Sequence, residues 1–132
     1  MISMPEWREA DTEVHPLWRR TFNQDWTGPD VAAPCPVCGN TGLHRWYLLE
    51  NARPRKYDGI EFAGRGRLWE WCDSCRTFEH YPDGSVPSWW SAPYGPGIPD
   101  PGRTPEAIER ARVAAHRRGV QGEPEESSRH AE

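Results

Sequence analysis

The sequence predicts a small β fold stabilised by a bound metal, with a three-stranded antiparallel sheet and short helices on either side. Three observations indicate this. All four cysteines of the chain stand in two C-x-x-C pairs. The mean hydropathy of −0.91 is too low for 132 residues to bury a large apolar core. Segments rich in aromatic residues, typical of strands, lie between the cysteine pairs and directly after the second pair.

The two cysteine pairs are the strongest signal in the chain: Cys35 with Cys38, and Cys72 with Cys75. A C-x-x-C turn directs two sulfurs at one ion, and two such turns form the tetrahedral site that Zn²⁺ prefers. Gly39 follows the first pair, where the backbone tends to need positive φ, and Arg76 follows the second. The sequence predicts one structural Zn²⁺ bound by these four cysteines, with iron in the same cage as the alternative.

Other uses of the four cysteines are less favoured. Two disulfides would require an oxidising compartment, and no segment resembling a secretory signal peptide opens the sequence. A redox-active pair is typically followed by a helix, and neither pair here precedes a helical pattern. His44 and His80 flank the two pairs, but four thiolates complete the coordination shell, so we expect both to be strand residues.

The C-P-x-C-G turn at Cys35, the strands that follow and the second C-x-x-C turn together resemble the zinc-ribbon family over residues 34–81. The resemblance implies a hairpin whose ends carry the two metal-binding turns. It implies little about function, because ribbons serve transcription, translation, enzymes and protein docking alike.

The composition divides the chain into five segments. They are an acidic tryptophan-containing segment (1–33), the ribbon (34–81), a Pro/Gly/Trp-rich lid (82–104), a helix (105–118) and a disordered tail (119–132). Within the ribbon we expect strands at 43–50, 67–72 and 77–81, joined by a polar irregular tip at 51–66 that includes a brief strand at 60–62.

Two helices are predicted outside the ribbon. An apolar repeat every four residues places the first from Pro16 to Asp25. Its Trp18 and Phe22 either pack as ordinary core or form a partner-binding face. The second begins after Thr104 and ends at Gly119.

The lid carries Trp89 and Trp90, which are too apolar for a free linker. In one interpretation they complete the core of the sheet. In the other, one indole is an exposed anchor for a partner protein, since tryptophan is favoured at binding hot spots. The two interpretations are compatible if one indole faces inward and its neighbour faces outward.

The hairpin tip is basic and contains aromatic residues and glycines. Its cations are Arg53, Arg55, Lys56, Arg65 and Arg67. Such a surface can contact phosphates, hold an acidic groove of a protein, or be plain solvated surface.

The chain as a whole favours binding over catalysis. A closed Cys₄ site has no open metal position, and no nucleophile motif or phosphate-binding loop is present in the sequence. We therefore expect a non-catalytic protein-binding adaptor, regulator or inhibitor, in the manner of immunity proteins. The alternative is a nucleic-acid-binding ribbon that acts through its Arg-rich tip in transcription-related regulation, which the net charge of −4 disfavours. No membrane span or small-molecule substrate is evident, and we expect a soluble cytoplasmic protein.

Overall fold

The computed structural model describes residues 5–94, 98 and 100–131, and the side chains of these residues as far as residue 119. In this part of the chain one five-stranded mixed sheet, in the order β1-β5-β4-β3-β2, carries two helices. The elements are β1 (Arg8–Glu9), α1 (His15–Gln24), β2 (Asp30–Pro34), β3 (Thr41–Tyr57), β4 (Ile60–Cys72), β5 (Thr77–Pro87) and α2 (Glu106–Ala131).

The sheet is larger than the three strands predicted from the sequence. Strands β3, β4 and β5 form the expected antiparallel centre. β2 adds to the outer side of β3, where Val31 pairs with Leu43. β1 pairs in parallel with the start of β5, at Arg8 and Thr77. The prediction missed both strands because they are short and carry no alternation of apolar and polar residues.

The β3–β4 hairpin corrects the prediction of an irregular tip. The two strands continue to Tyr57 and from Ile60, so only Asp58 and Gly59 form the turn, with φ of 51° and 80°. A two-residue turn with positive φ at both positions matches the twist of the strands it joins. Pro54 is accommodated because it lies in a register irregularity between Ala52 and Arg55.

Two glycines let the hairpin strands approach each other closely. A Cβ at Gly64 would overlap the carbonyl oxygen of Asn51, and one at Gly66 would overlap that of Leu48. These glycines lie at or beside the bulges of the hairpin. The close approach of the two strands explains why glycine occupies both positions, and no phosphate-binding role is needed to explain it.

The core is rich in indoles, as the composition predicts. One cluster packs around Trp18, Phe22, Val31, Cys35, Leu43 and Cys72, and a second around Trp46, Trp69, Trp71, Phe78 and Ile108. Helix α1 starts one residue before the predicted Pro16. Its Trp18 and Phe22 are fully buried against the sheet, which supports the core interpretation of this face and leaves neither side chain available to a partner.

The lid segment begins as sheet. Residues 82–87 extend β5. Among the described strands, β1 pairs only with Thr77 and Phe78, so the rest of this edge of β5 is open. Prolines are tolerated there because an edge strand does not need every N–H for pairing. Trp89 and Trp90 are both partly buried and pack against the sheet, so neither indole is fully exposed. Trp89 contacts Trp26 and Tyr47, with ring centroids 5.9 and 6.1 Å apart. Residues 95–97 and 99 of this segment lie outside the described residues.

Helix α2 starts after Pro105, close to its predicted start, and docks through the fully buried Ile108. It continues past Gly119, where the sequence predicts its end, through most of the segment expected to be disordered. A glycine costs a helix about 1 kcal/mol relative to alanine and does not by itself end it. The predicted tail also includes residue 132, which the structure does not describe.

Candidate metal centre

The four cysteines come together at one end of the β3–β4 hairpin. Cys35 directly follows β2, and Cys38 lies in the turn that leads to β3. Cys72 is the last residue of β4, and Cys75 lies in the turn before β5. The strand pairing therefore brings together two turns that are far apart in sequence, as the spacing of the cysteines predicts.

The sulfurs have the spacing of a tetrahedral metal site. All four lie within 4.8 Å of one another. Cys35 Sγ is 3.8 Å from Cys75 Sγ, and Cys38 Sγ is 3.7 Å from Cys72 Sγ. A tetrahedron with metal–sulfur bonds of about 2.3 Å has edges of roughly 3.8 Å, whereas a disulfide requires about 2.05 Å. The cluster therefore fits a single metal ion, and all four cysteines are free.

Each turn has the backbone that its sequence predicts. The N–H of Gly39 donates to the carbonyl of Cys35, and the N–H of Arg76 donates to that of Cys72, at 2.8 and 3.0 Å. Gly39 has φ of 81° and Arg76 has φ of 58°. The N–H of Val37 donates to Cys35 Sγ at 3.3 Å, which stabilises a thiolate.

Without a cation the sulfurs oppose each other's ionisation. Cys35 and Cys72 share one proton in a hydrogen bond. This bond lowers the pKa of Cys35 and is the largest cause that raises the pKa of Cys72 well above its ordinary value. Burial is the largest cause that raises the pKa of Cys75. A divalent ion stabilises all four thiolates at once, so the donor set fits a metal.

Polar groups surround the centre and fix the second turn. His44 Nε2 lies 2.8 Å from Asp73 Oδ2, and His44 Nδ1 lies 2.7 Å from Asp30 Oδ1. Arg112 of α2 also reaches Asp73, at 3.3 Å. Thr77 Oγ1 lies 3.2 Å from Cys75 Sγ, where its hydroxyl can donate to a thiolate. His44 lies in β3, as expected for a strand residue, whereas Asp73 and Thr77 give no recognisable signal in the sequence.

A buried row of charge crosses the sheet under α1, and sequence reasoning missed it. Arg45, Glu70 and Glu79 are neighbours on β3, β4 and β5 and are 1%, 2% and 9% exposed. Glu70 accepts hydrogen bonds from Trp18 Nε1 and Arg19 Nη1, at 3.2 and 3.0 Å. Burial nevertheless raises the pKa of Glu70 to about 7. The row fastens α1 to the sheet.

The basic residues predicted at the tip fall into two groups. Arg53, Arg55 and Lys56 lie in a stretch, residues 49–61, in which every residue is exposed. Arg65 and Arg67 lie nearer the centre of the sheet and form ion pairs with Asp83 and Asp100, at 2.9 and 2.6 Å. These two cations are therefore largely committed to contacts within the chain.

Among the residues that the structure describes, no helix combines the length and the apolar character needed to cross a membrane.

The comparisons with known proteins add no assignment: no protein-family model matches this chain, and neither a curated protein nor a solved structure is significantly similar to it.

Proposed function

We propose that this chain is a non-catalytic, zinc-stabilised protein-binding module of the ribbon kind, acting as an adaptor, regulator or inhibitor. Zinc is proposed over iron because structural Cys₄ sites that join two C-x-x-C turns are the typical setting of zinc. A closed set of four sulfurs leaves no metal position for a substrate, which supports a structural role for the ion.

One close pair of titratable groups outside the metal centre has a structural rather than a catalytic setting. His15 Nδ1 lies 2.5 Å from Glu79 Oε1, and Tyr81 also donates to Glu79. The cavity beside this pair has a volume of about 170 Å³, below the roughly 300–1,000 Å³ of typical small-molecule sites. The pair serves to hold α1 on β5.

The observation that carries the proposal is the exposed hairpin tip, residues 49–61. Tyr57 is 72% exposed and Ile60 is 40% exposed, although both are apolar enough to favour burial. They flank the turn at Asp58 and Gly59 and face solvent together at the end of a hairpin fixed by its bulges. Tyrosine is enriched at protein interfaces, where its ring packs and its hydroxyl finds a partner.

The charge of the tip favours a protein over a nucleic acid. Three cations in residues 49–61 (Arg53, Arg55, Lys56) are balanced by three carboxylates (Glu50, Asp58, Glu61). Binding to nucleic acid depends on a surplus of positive charge that releases counterions from phosphates. The tip has no such surplus, whereas mixed charge around an apolar centre is typical of the rim of a protein interface.

The test is affinity capture by the metal-loaded chain, with and without nuclease, using a surface variant and its control. Tyr57→Ser with Ile60→Ser should abolish recovery of a defined protein that survives nuclease treatment. Leu17→Ser changes an apolar residue of α1 that is 45% exposed, outside the metal centre and the tip, and should leave recovery intact. Complete loss of the captured material on nuclease treatment would instead favour the nucleic-acid alternative.

A further inference from the structure

A groove lies between helix α2 and the second cysteine turn. Trp7 and Arg76 line one side, and α2 lines the other with Arg110, Val113, Ala114 and Arg117 together with two acidic residues, Glu106 and Glu109. Its volume of about 440 Å³ is large enough for several side chains of a partner. The Arg76 guanidinium lies 4.8 Å from the ring centre of Trp7, so an aromatic plane and a cation form one wall.

The groove contains cations that the described residues leave without an anion. Neither Arg76 nor Arg117 forms an ion pair in the part of the chain that the structure describes. Arg110, by contrast, is paired with Glu106 at 3.0 Å. Glu109, the other carboxylate that lines the groove, is paired with Arg112 at 2.7 Å, so neither lining carboxylate neutralises Arg76 or Arg117 by a direct ion pair.

Two N–H donors at the same wall also lack partners. Trp7 Nε1 and Arg76 Nε are buried and have no hydrogen-bond acceptor among the described residues. Most buried donors in folded proteins are satisfied, and each exception calls for a physical reason. An acceptor that enters the groove could form hydrogen bonds with both donors if the stacked Trp7–Arg76 pair shifts slightly.

We propose that this groove binds an acidic segment of a partner protein. Carboxylates of that segment pair with Arg76 and Arg117, because a guanidinium presents a planar set of donors that matches a carboxylate. An apolar side chain of the same segment packs on Trp7, Val113 and Ala114. The groove shares no lining residue with the hairpin tip, so the proposal adds a second surface and does not depend on the first.

The test is an NMR titration of the ¹⁵N-labelled, metal-loaded full chain with a short peptide of alternating glutamate and leucine. The Trp7 indole N–H signal, assigned by its loss in Trp7→Phe, should shift in a saturable way. The same peptide with glutamine in place of glutamate should bind far more weakly, because it offers no charge to the two arginines.

Two neighbouring arginines provide a matched pair of variants. Arg117 and Arg118 are both exposed, but only Arg117 lines the groove. Arg117→Glu should raise the dissociation constant of the acidic peptide about tenfold or more, equivalent to about 1.4 kcal/mol. Arg118→Glu makes the same change in net charge and should leave that constant within a factor of about two, since charges outside the contact act weakly at physiological salt.

Several outcomes would overturn the proposal. One is the absence of any shift at Trp7 when the peptide is in large excess. Others are shifts confined to residues 49–61, or equal losses of affinity in Arg117→Glu and Arg118→Glu. A short oligonucleotide that shifts the Trp7 signal when the acidic peptide does not would assign the groove to phosphates instead.

Discussion

Arg76 occupies in the second cysteine turn the position that Gly39 occupies in the first, and both residues have positive φ, 58° and 81°. A left-handed backbone costs a side-chain-bearing residue about 1–2 kcal/mol. Arg76 recovers part of this cost by stacking on Trp7. The two turns therefore have one backbone geometry that is stabilised in two different ways.

Gly39→Ala is expected to lower the free energy of unfolding by about 1–2 kcal/mol, because alanine has no means of offsetting the left-handed backbone. Gly28→Ala is the control. A Cβ meets nothing within 4 Å at either position, but only Gly39 has positive φ. Chemical denaturation of the two metal-loaded variants measures the difference. Equal stability would show that the first turn tolerates a side chain without strain.

Cys72→Ser is expected to unfold the sheet rather than weaken one function, because metal binding and folding are coupled at a Cys₄ site. Elemental analysis should find one metal ion per chain in the unmodified protein and none in the variant, with loss of near-ultraviolet circular dichroism. Ser74→Ala changes the same turn without removing a ligand and should retain the ion. A metal-free Cys72→Ser chain with a native spectrum would contradict the coupling.

Glu70 is expected to make stability fall as pH rises from about 4.5 to about 7. Burial raises the pKa of the folded-state carboxyl to about 7 from an ordinary value of 4.5. Between these values the unfolded chain has lost the proton that the folded chain keeps, so folding becomes less favourable with pH, and above about 7 the effect is constant. The total change is about 3 kcal/mol at 1.36 kcal/mol per pH unit.

Denaturation of Glu70→Gln and of the unmodified chain at a series of pH values isolates this effect. The difference in unfolding free energy between them should vary with pH from about 4.5 to about 7 and become constant above that. Glu61→Gln, at the exposed hairpin tip, should follow the unmodified chain throughout. Parallel curves for Glu70→Gln and the unmodified chain would mean that Glu70 titrates alike in the folded and unfolded states.

Trp89→Ala and Trp90→Ala are both expected to destabilise the fold, each by about 1–3 kcal/mol, because both indoles pack on neighbouring rings. Trp90 lies 5.1 Å from Trp46 and 5.3 Å from Tyr47 between ring centres. Thermal unfolding measures both variants. A melting temperature that is unchanged in one of them would restore the interpretation of that indole as a free anchor.

The sequence predicts the parts of this structure that local chemistry determines. The spacing of the cysteines, the positive φ after each pair and the apolar repeat around Trp18 each depend on a few neighbouring residues. Asp58-Gly59 between strand-like segments is a hairpin-turn signal, but Pro54 and Gly59 together predict an irregular tip, because the bulge that accommodates Pro54 has no signature in the sequence. Pairing across the sheet decides the rest: a buried row that joins Arg45 to Glu79 leaves no pattern within either strand.

The position of the metal centre has a consequence for how the long hairpin behaves. A β-hairpin normally frays from its open end, where the strands part. Here Cys38 leads into β3 and Cys72 ends β4, and their sulfurs are 3.7 Å apart. An ion bound by both sulfurs would close the open end, as Asp58 and Gly59 close the other, and the paired strands would then have no free end. A slip of one residue in register would then require the ion to dissociate first. The bound ion would thus fix the alignment of strands whose tip lies roughly 40 Å away, at about 3.3 Å per residue.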